Sequence, residues 1–385
     1  MLLRLWIAAS TFGSDDVHYW MQFAAGVRHF GPIGIYGHSF DAQYNHPPLA
    51  GWMLLLIDHL QRTGLSFPFL VRVPASVADG ITGVLLFLLI DRYGRRHTAV
   101  LAAVAFMLSP LAVIVSGFHG NTDPVFVMLA IAAFYQETVR RRHGTSGLLL
   151  ALAISVKIVP VVLLPLFVLR LVSGGARGRT RFLAGGALVF AVLWLPVLVT
   201  RPEQFIENVL LYSGNSLGLW GAPVLVFMLG VDPAAHQALF HALSYVALAV
   251  SAFLPVLVGG RATADLQRFG LVLSLFLLLS PAFGMQYLVW GLAPAFLVSL
   301  RQATAYAVTS SAFALVVYSL WNHALPWNWY EARSYPFPDF VAVPMFAAWL
   351  ALLAVVLTGV SMLRAAGVAE TASARPSGSS VRSAA

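Results

Sequence analysis

The sequence contains no cysteine, which excludes a disulfide framework and any zinc site built from thiolates. It is also short of charge. Only 10% of its 385 residues are Asp, Glu, Lys or Arg, against about 25% in a soluble domain. With 59% hydrophobic residues and a mean hydropathy of +0.81, a soluble fold is excluded and an integral membrane protein is expected. No Walker phosphate loop occurs, which removes P-loop nucleotide hydrolysis. His18, His29, His38 and His46 lack i, i+4 spacing and no HExxH occurs, so no catalytic metal is expected. His236 and His241 read as polar positions at a helix start. No repeat of fixed period is present.

What charge there is carries topology. The net charge of +8 comes from 23 Lys and Arg against 15 Asp and Glu. It does not point to nucleic acid, because the arginines cluster between apolar runs in the positive-inside pattern. Arginine groups at 92–96, 140–142, 170–181, 261–268, 301 and 364 are expected on the cytoplasmic side. The opposite side then receives 14–67, 119–123, 201–220, 280–286 and 321–340, which hold most of the remaining His, Asp, Glu, Asn and Trp.

The apolar runs 69–90, 98–118, 124–139, 182–199, 236–258, 303–320 and 340–362 read as spans. Residues 147–169 and 269–300 each lie between basic flanks, so each is expected to form a pair of shortened helices. The breaks are expected at 157–160 and 280–284. The run 49–60 is expected at the interface. Residues 2–12 reach about half of a ~30 Å core at ~1.5 Å per residue, as a shortened helix or one starting upstream of Met1. They lack a small-residue cleavage site and are not read as a signal peptide. The fold expected is an all-α polytopic membrane protein with about twelve transmembrane elements and both termini cytoplasmic. It is expected as one domain over 1–364, with a polar first loop at 13–68 and a disordered cytoplasmic tail at 365–385.

The stretch 14–48 places Asp15, Asp16, His18, Arg28, His29, His38, Asp41 and His46 between two apolar regions. Asp15 and Asp16 would lie at the membrane surface. They can cap the helix beginning at Val17, or one can act as a partly desolvated general base for a hydroxyl. Tyr44-Asn45-His46-Pro47-Pro48 is a rigid turn feeding a helix. In His119-Gly120-Asn121-Thr122-Asp123-Pro124, Asp123 can cap the returning helix, which leaves His119 and Asn121 unexplained. Lys157 is the only lysine beside 22 arginines, and it lies inside an apolar run. A cation there marks a functional site. A compact ammonium suits a phosphate ester at membrane depth; the competing reading is a salt bridge with Asp79. The aromatic stretch 321–338 reads as an interfacial belt, with sugar stacking as the second reading.

Taken together, SDDVHY at 14–19, YNHPP at 44–48, HGNTDP at 119–124 and SVKIVPVVLLPLFVLR at 155–170 resemble the GT-C superfamily of integral membrane glycosyltransferases. The Lys-Ile-x-Pro element is similar to that of the GPI mannosyltransferase and its bacterial relatives. RVPASVADGITGVLLFLLIDRYGRR and SPAFGMQYLVW also look like spans of bacterial members. The resemblance implies inverting transfer of a sugar, mannose first, from a polyprenyl-phosphate donor to a glycan or glycolipid acceptor of the cell envelope. The site would face the extracytoplasmic side of the cell membrane. It implies Asp16 as base with Asp15 as the fallback. Substrate contacts are assigned to Lys157, His119, Asn121, Asp123, His46, Tyr44 and Gln286, with Lys157 on the donor phosphate. It implies no cofactor, and membrane lipid surrounds the chain. No nucleic acid and no obligate protein partner are inferred. A transporter or lipid flippase also uses broken helices and buried charges, but the polar residues gather at one face, which favours an enzyme. A non-catalytic scaffold leaves Lys157 without a purpose.

Overall fold

In hydrocarbon each backbone N–H and C=O must be satisfied within the chain, so apolar runs fold into helices. The computed structural model describes all residues except 174, 213, 215–218, 222, 225–228, 231–236, 259–264, 323–337 and 374–385. Among the described residues the fold is all-helical, with no strand. The first ten helices are α1 (Leu2–Ser10), α2 (Asp15–Gly34), α3 (Leu49–Gln61), α4 (Phe67–Asp91), α5 (Arg96–Leu108), α6 (Pro110–Ile114), α7 (Asp123–Tyr135), α8 (His143–Val156), α9 (Leu164–Ser173) and α10 (Ala176–Val189). The α10 helix runs on through a widened turn to Thr200. Gln237–Leu257, Asp265–Leu279, Leu288–Val298, Leu300–Asn322 and Ala342–Ser373 follow.

Four of the described helices are long and apolar enough to cross a membrane: Phe67–Asp91, Ala176–Thr200, Leu300–Asn322 and Asp339–Val368. A bent pair, Arg96–Leu108 with Pro110–His119, makes a fifth, and five apolar helices of 10–17 residues accompany them. These are the helices of a membrane protein. They divide by exposure. Phe67–Asp91 has 56% of its apolar window buried and is a central post, while Ala176–Thr200 has 17% and turns Leu183, Leu188, Val192 and Val199 outward.

Both breaks expected from the basic flanks are present. The α8 helix ends at Val156, Lys157 is extended (φ −152, ψ 141), and a tight turn resumes at Val159–Leu163. Likewise Asp265–Leu279 stops before Ser280, and a turn at Met285–Tyr287 opens Leu288–Val298. The run 98–118, read above as one span, instead bends by 46° at Ser109. Pro110 supplies no N–H and disfavours helical backbone in the residue before it, and Ser109 accordingly has ψ 122.

The polar stretch 14–48 is half helix. Val17, Trp20, Ala24 and Val27 recur at helical spacing on the buried face of α2, and Phe23 joins them against Tyr36, Tyr44, Leu54 and Phe67. Gly31 breaks this helix at φ 76, just before Pro32. The salt bridge considered between Lys157 and Asp79 does not form. Asp79 pairs with Arg4 at 3.2 Å, and Lys157 pairs with Asp123 at 2.8 Å. Ala342–Ser373 carries helix past residue 365, into the stretch read as tail, and residues 374–385 lie outside the described residues. So does most of the aromatic stretch 321–338.

Candidate active site

Chain breaks bring the polar residues together. The chain between α1 and α2, the turn before α7, the break after α8 and the break before Leu288–Val298 open on one cavity of about 790 Å³. Asp15, Asp16, Asn45, His46, Asn121, Lys157 and Gln286 all line it, with Tyr19, Trp20, Tyr212, Tyr287, Trp290 and Trp321. A carboxylate 141 positions away in sequence therefore shares a chamber with the lone lysine.

Asp16 lies in the first turn of α2, where a negative charge suits the helix N-terminus. Its side chain does not cap that helix. Oδ2 contacts His119 Nε2 at 3.0 Å and accepts from Asn121 Nδ2 at 2.5 Å. With Oδ2 engaged twice, Oδ1 is the oxygen left to meet a hydroxyl. Burial pushes the Asp16 carboxyl up, but the His119 charge, the two hydrogen bonds and the Lys157 ammonium outweigh it and hold it below the usual carboxylate range. Asp15 takes a different part. Its charge acts on Tyr19, whose hydroxyl is pushed up by burial and then by that carboxylate.

Two glycines make this corner possible. Gly13 has φ +105 and Gly120 φ +87, left-handed conformations that cost a side chain dearly. A Cβ on Gly120 would lie 2.4 Å from Val17 Cγ2, and one on Gly13 would lie 2.8 Å from the Phe118 carbonyl. Ser14 Oγ donates to the His119 carbonyl at 2.5 Å, lacing the two chain segments together. His119 itself is buried behind Asp16, and its Nδ1 contacts the Tyr318 hydroxyl at 2.5 Å.

Across the cavity, Lys157 sits where α8 has unwound. Its ammonium donates to Asp123 Oδ1 at 2.8 Å and lies over the Tyr287 and Trp290 rings, 4.5 and 5.0 Å from their centroids. Trp290 Nε1 donates to the same carboxylate oxygen. Asp123 is fully buried and makes no side-chain cap on α7; it faces the lysine instead. An ammonium has three N–H groups, so two remain to meet an anion.

His46 stacks on Trp20 with ring centroids 4.2 Å apart. Desolvation, and then the Lys157 charge, push its pKa down to about 3, against the smaller opposite pull of Asp16. It is a neutral ring in the cavity wall. Tyr44 is buried behind it, edge-on to Phe23 and His46, and does not line the cavity. Among the candidate residues the cavity thus unites Asp16, Asp15, Lys157, Asn121, His46 and Gln286, while His119, Asp123 and Tyr44 stand behind it. Among the described residues no group of three or more His, Asp or Glu is placed to hold a metal ion.

The aromatic wall and Tyr318 escaped the sequence reading. Tyr287 and Trp290 are three apart beside a helix break, a spacing that puts both rings on one face and that could have flagged them. Tyr318 carried no local sign, since it meets His119 from 199 residues away.

Comparison with known proteins agrees with the resemblance. Residues 45–199 match the family model described as dolichyl-phosphate-mannose-protein mannosyltransferase. Over 146 residues the chain is 30% identical to the GPI alpha-1,4-mannosyltransferase I catalytic subunit of Danio rerio, covering 35% of this chain and 37% of that protein. The chain therefore aligns with well under half the length of this relative. The family match takes in His46, His119, Asn121, Asp123 and Lys157, and Asp16 precedes it. Both findings are likenesses over part of the chain, and both are to proteins described as mannosyltransferases.

Proposed function

We propose that the protein transfers a sugar, mannose first among candidates, from a polyprenyl-phosphate donor to a cell-envelope glycan or glycolipid acceptor with inversion at the anomeric carbon. The site faces the extracytoplasmic side of the cell membrane in this reading, with about twelve transmembrane elements and both termini cytoplasmic. The observation that carries the proposal is the shared cavity: a carboxylate held ionised on one wall and an ammonium with free N–H groups on the other.

In the reaction, Asp16 Oδ1 accepts a hydrogen bond from the acceptor hydroxyl and takes its proton as the new C–O bond forms. The bond from the anomeric carbon to the phosphate oxygen breaks, and its electron pair stays on the departing polyprenyl phosphate. Lys157 stabilises that phosphate, where a water-poor wall strengthens the interaction. A depressed pKa makes Asp16 a weak base but keeps it ionised, which suits proton transfer late in the bond-forming step. Asn121, His46 and Gln286 offer hydrogen bonds to sugar hydroxyls, and Trp20, Tyr287 and Trp290 offer apolar faces. His119 and Asp123 act from behind, each on the charged group it touches.

The test is transfer by purified protein in lipid, with radiolabelled polyprenyl-phosphate mannose, glucose and arabinose offered beside a membrane extract as acceptor. One donor is expected to label a lipid-linked or glycan product. Donor-driven movement of the lipid across the bilayer without any labelled product would instead favour a transporter.

A further inference from the structure

Arg72 lies in the second turn of α4, is 0% exposed, and makes no ion pair with a carboxylate among the described residues. Its guanidinium is answered by backbone dipoles. Nε donates to the Pro68 carbonyl at 2.6 Å. Nη2 donates to the carbonyls of Ala8 and Thr11 at 2.8 and 2.5 Å. Nη1 donates to Thr11 Oγ1 at 2.8 Å and to the carbonyls of Gly117 and Phe118 at 3.1 and 3.3 Å.

The carbonyls of Ala8, Thr11, Gly117 and Phe118 lie at two helix ends. The α1 helix stops at Ser10, and the widened turn Val115–His119 stops at left-handed Gly120, so neither end has intrahelical partners for its last carbonyls. The first end leads within a few residues to Ser14 and Asp16. The second leads directly to His119 and Asn121. One planar fork therefore grips both segments, which Ser14 and, through Ser116, Arg4 also tie together. A cation without a counter-charge is expensive at this depth, and an apolar side chain of similar volume would take the donor away from these carbonyls where water is scarce.

We propose that Arg72 is a positioning residue, whose guanidinium fixes the register between the chain leading into Asp16 and the turn that presents His119 and Asn121 to it. The proposal rests on Asp16 being the base only as far as turnover is concerned, since the register itself is a structural quantity. Arg72→Lys keeps the charge but replaces a five-donor fork by a point with three donors, which cannot span both ends. Thr11→Val withdraws one acceptor and leaves Arg72 in place.

The experiment titrates the Asp16 carboxyl by ¹³C NMR in aspartate-labelled protein in nanodiscs, its signal assigned by its loss in Asp16→Asn. Donor kinetics are run in parallel. In Arg72→Lys the midpoint of Asp16 is expected to move up, as the contacts to His119 and Asn121 loosen. The acid limb of kcat should rise with it, and kcat should fall about 10²-fold, the scale of a 1 Å misplacement, with donor KM little changed. Thr11→Val is expected to shift both in the same direction by less, and it decides the matter if Arg72→Lys does not fold. A lowered melting temperature with an unmoved Asp16 midpoint in both variants would overturn the proposal and leave Arg72 a fold anchor. A moved midpoint in a protein that transfers no sugar would sustain the positioning role and sink the base assignment instead.

Discussion

The two walls of the cavity hold their charges in opposite ways. On one, Asp16 is gripped through a single oxygen by His119 and Asn121, so the charge is oriented while the other oxygen stays open. On the other, Lys157 is already neutralised by the fully buried Asp123, which Trp290 also bonds. The contrast matches the two tasks proposed for these walls. A base must present a lone pair in one direction. A phosphate site must hold a cation ready without leaving it bare in a low-dielectric setting, and an internal carboxylate does that until an anion arrives.

The largest expected effect breaks the first wall. Asp16→Asn keeps the shape and removes the proton acceptor, so kcat should fall about 10²–10⁴-fold in the transfer assay. Asp15→Asn, whose partner is Tyr19, should cost far less. Equal losses would erase the distinction drawn between these neighbours.

The second wall is sharpened by a double-mutant cycle read by thermal unfolding. Lys157→Met strands a carboxylate that is 0% exposed, and breaking a buried pair this way costs about 3–5 kcal/mol. Asp123→Asn should cost less, because Lys157 is 21% exposed and keeps two aromatic faces. The double variant Lys157→Met with Asp123→Asn should be more stable than Lys157→Met alone. Strict additivity would show the two residues to be energetically independent.

A smaller effect separates the walls by pH. His46 is held neutral with its pKa down to about 3, below the ordinary value of 6.5. Between those values the unfolded chain binds a proton that the folded protein refuses, so stability is full above pH 6.5 and declines as pH falls toward 3. The melting temperature should therefore be lower at pH 4.5 than at pH 7, and His46→Phe, which keeps the stack on Trp20, should flatten that slope. An unchanged slope would remove His46 from the desolvated wall.

Most of this arrangement could be anticipated from particular residues. The arginine clusters bounded the apolar runs, and 23 residues between two basic flanks forced a break, which the structure has at Lys157. The second break at Ser280 followed from the same reasoning. What stayed hidden was set by packing between distant helices. Asp123 reads as a cap because Pro124 follows it, and only the approach of Trp290 and Lys157 turns it into a counter-ion. Tyr318 lies in an ordinary apolar helix until that helix reaches His119. Arg4 belongs to a helix too short to span by itself, yet it is the partner of Asp79, a pairing that the lone lysine drew attention away from. The bend at Ser109 has its local sign in the Ser-Pro pair, but the run around it is also long enough for one straight span, so length alone does not reveal it.

The most direct test of the account measures donor binding and turnover separately, using a polyprenyl-phosphate mannose in lipid. Asp16→Asn should bind the donor as the parent protein does and fail to transfer its sugar, while Lys157→Met should lose donor binding. Normal donor affinity in Lys157→Met, or near-normal transfer by Asp16→Asn, would contradict the claim that base and cation serve one lipid-phosphate cavity.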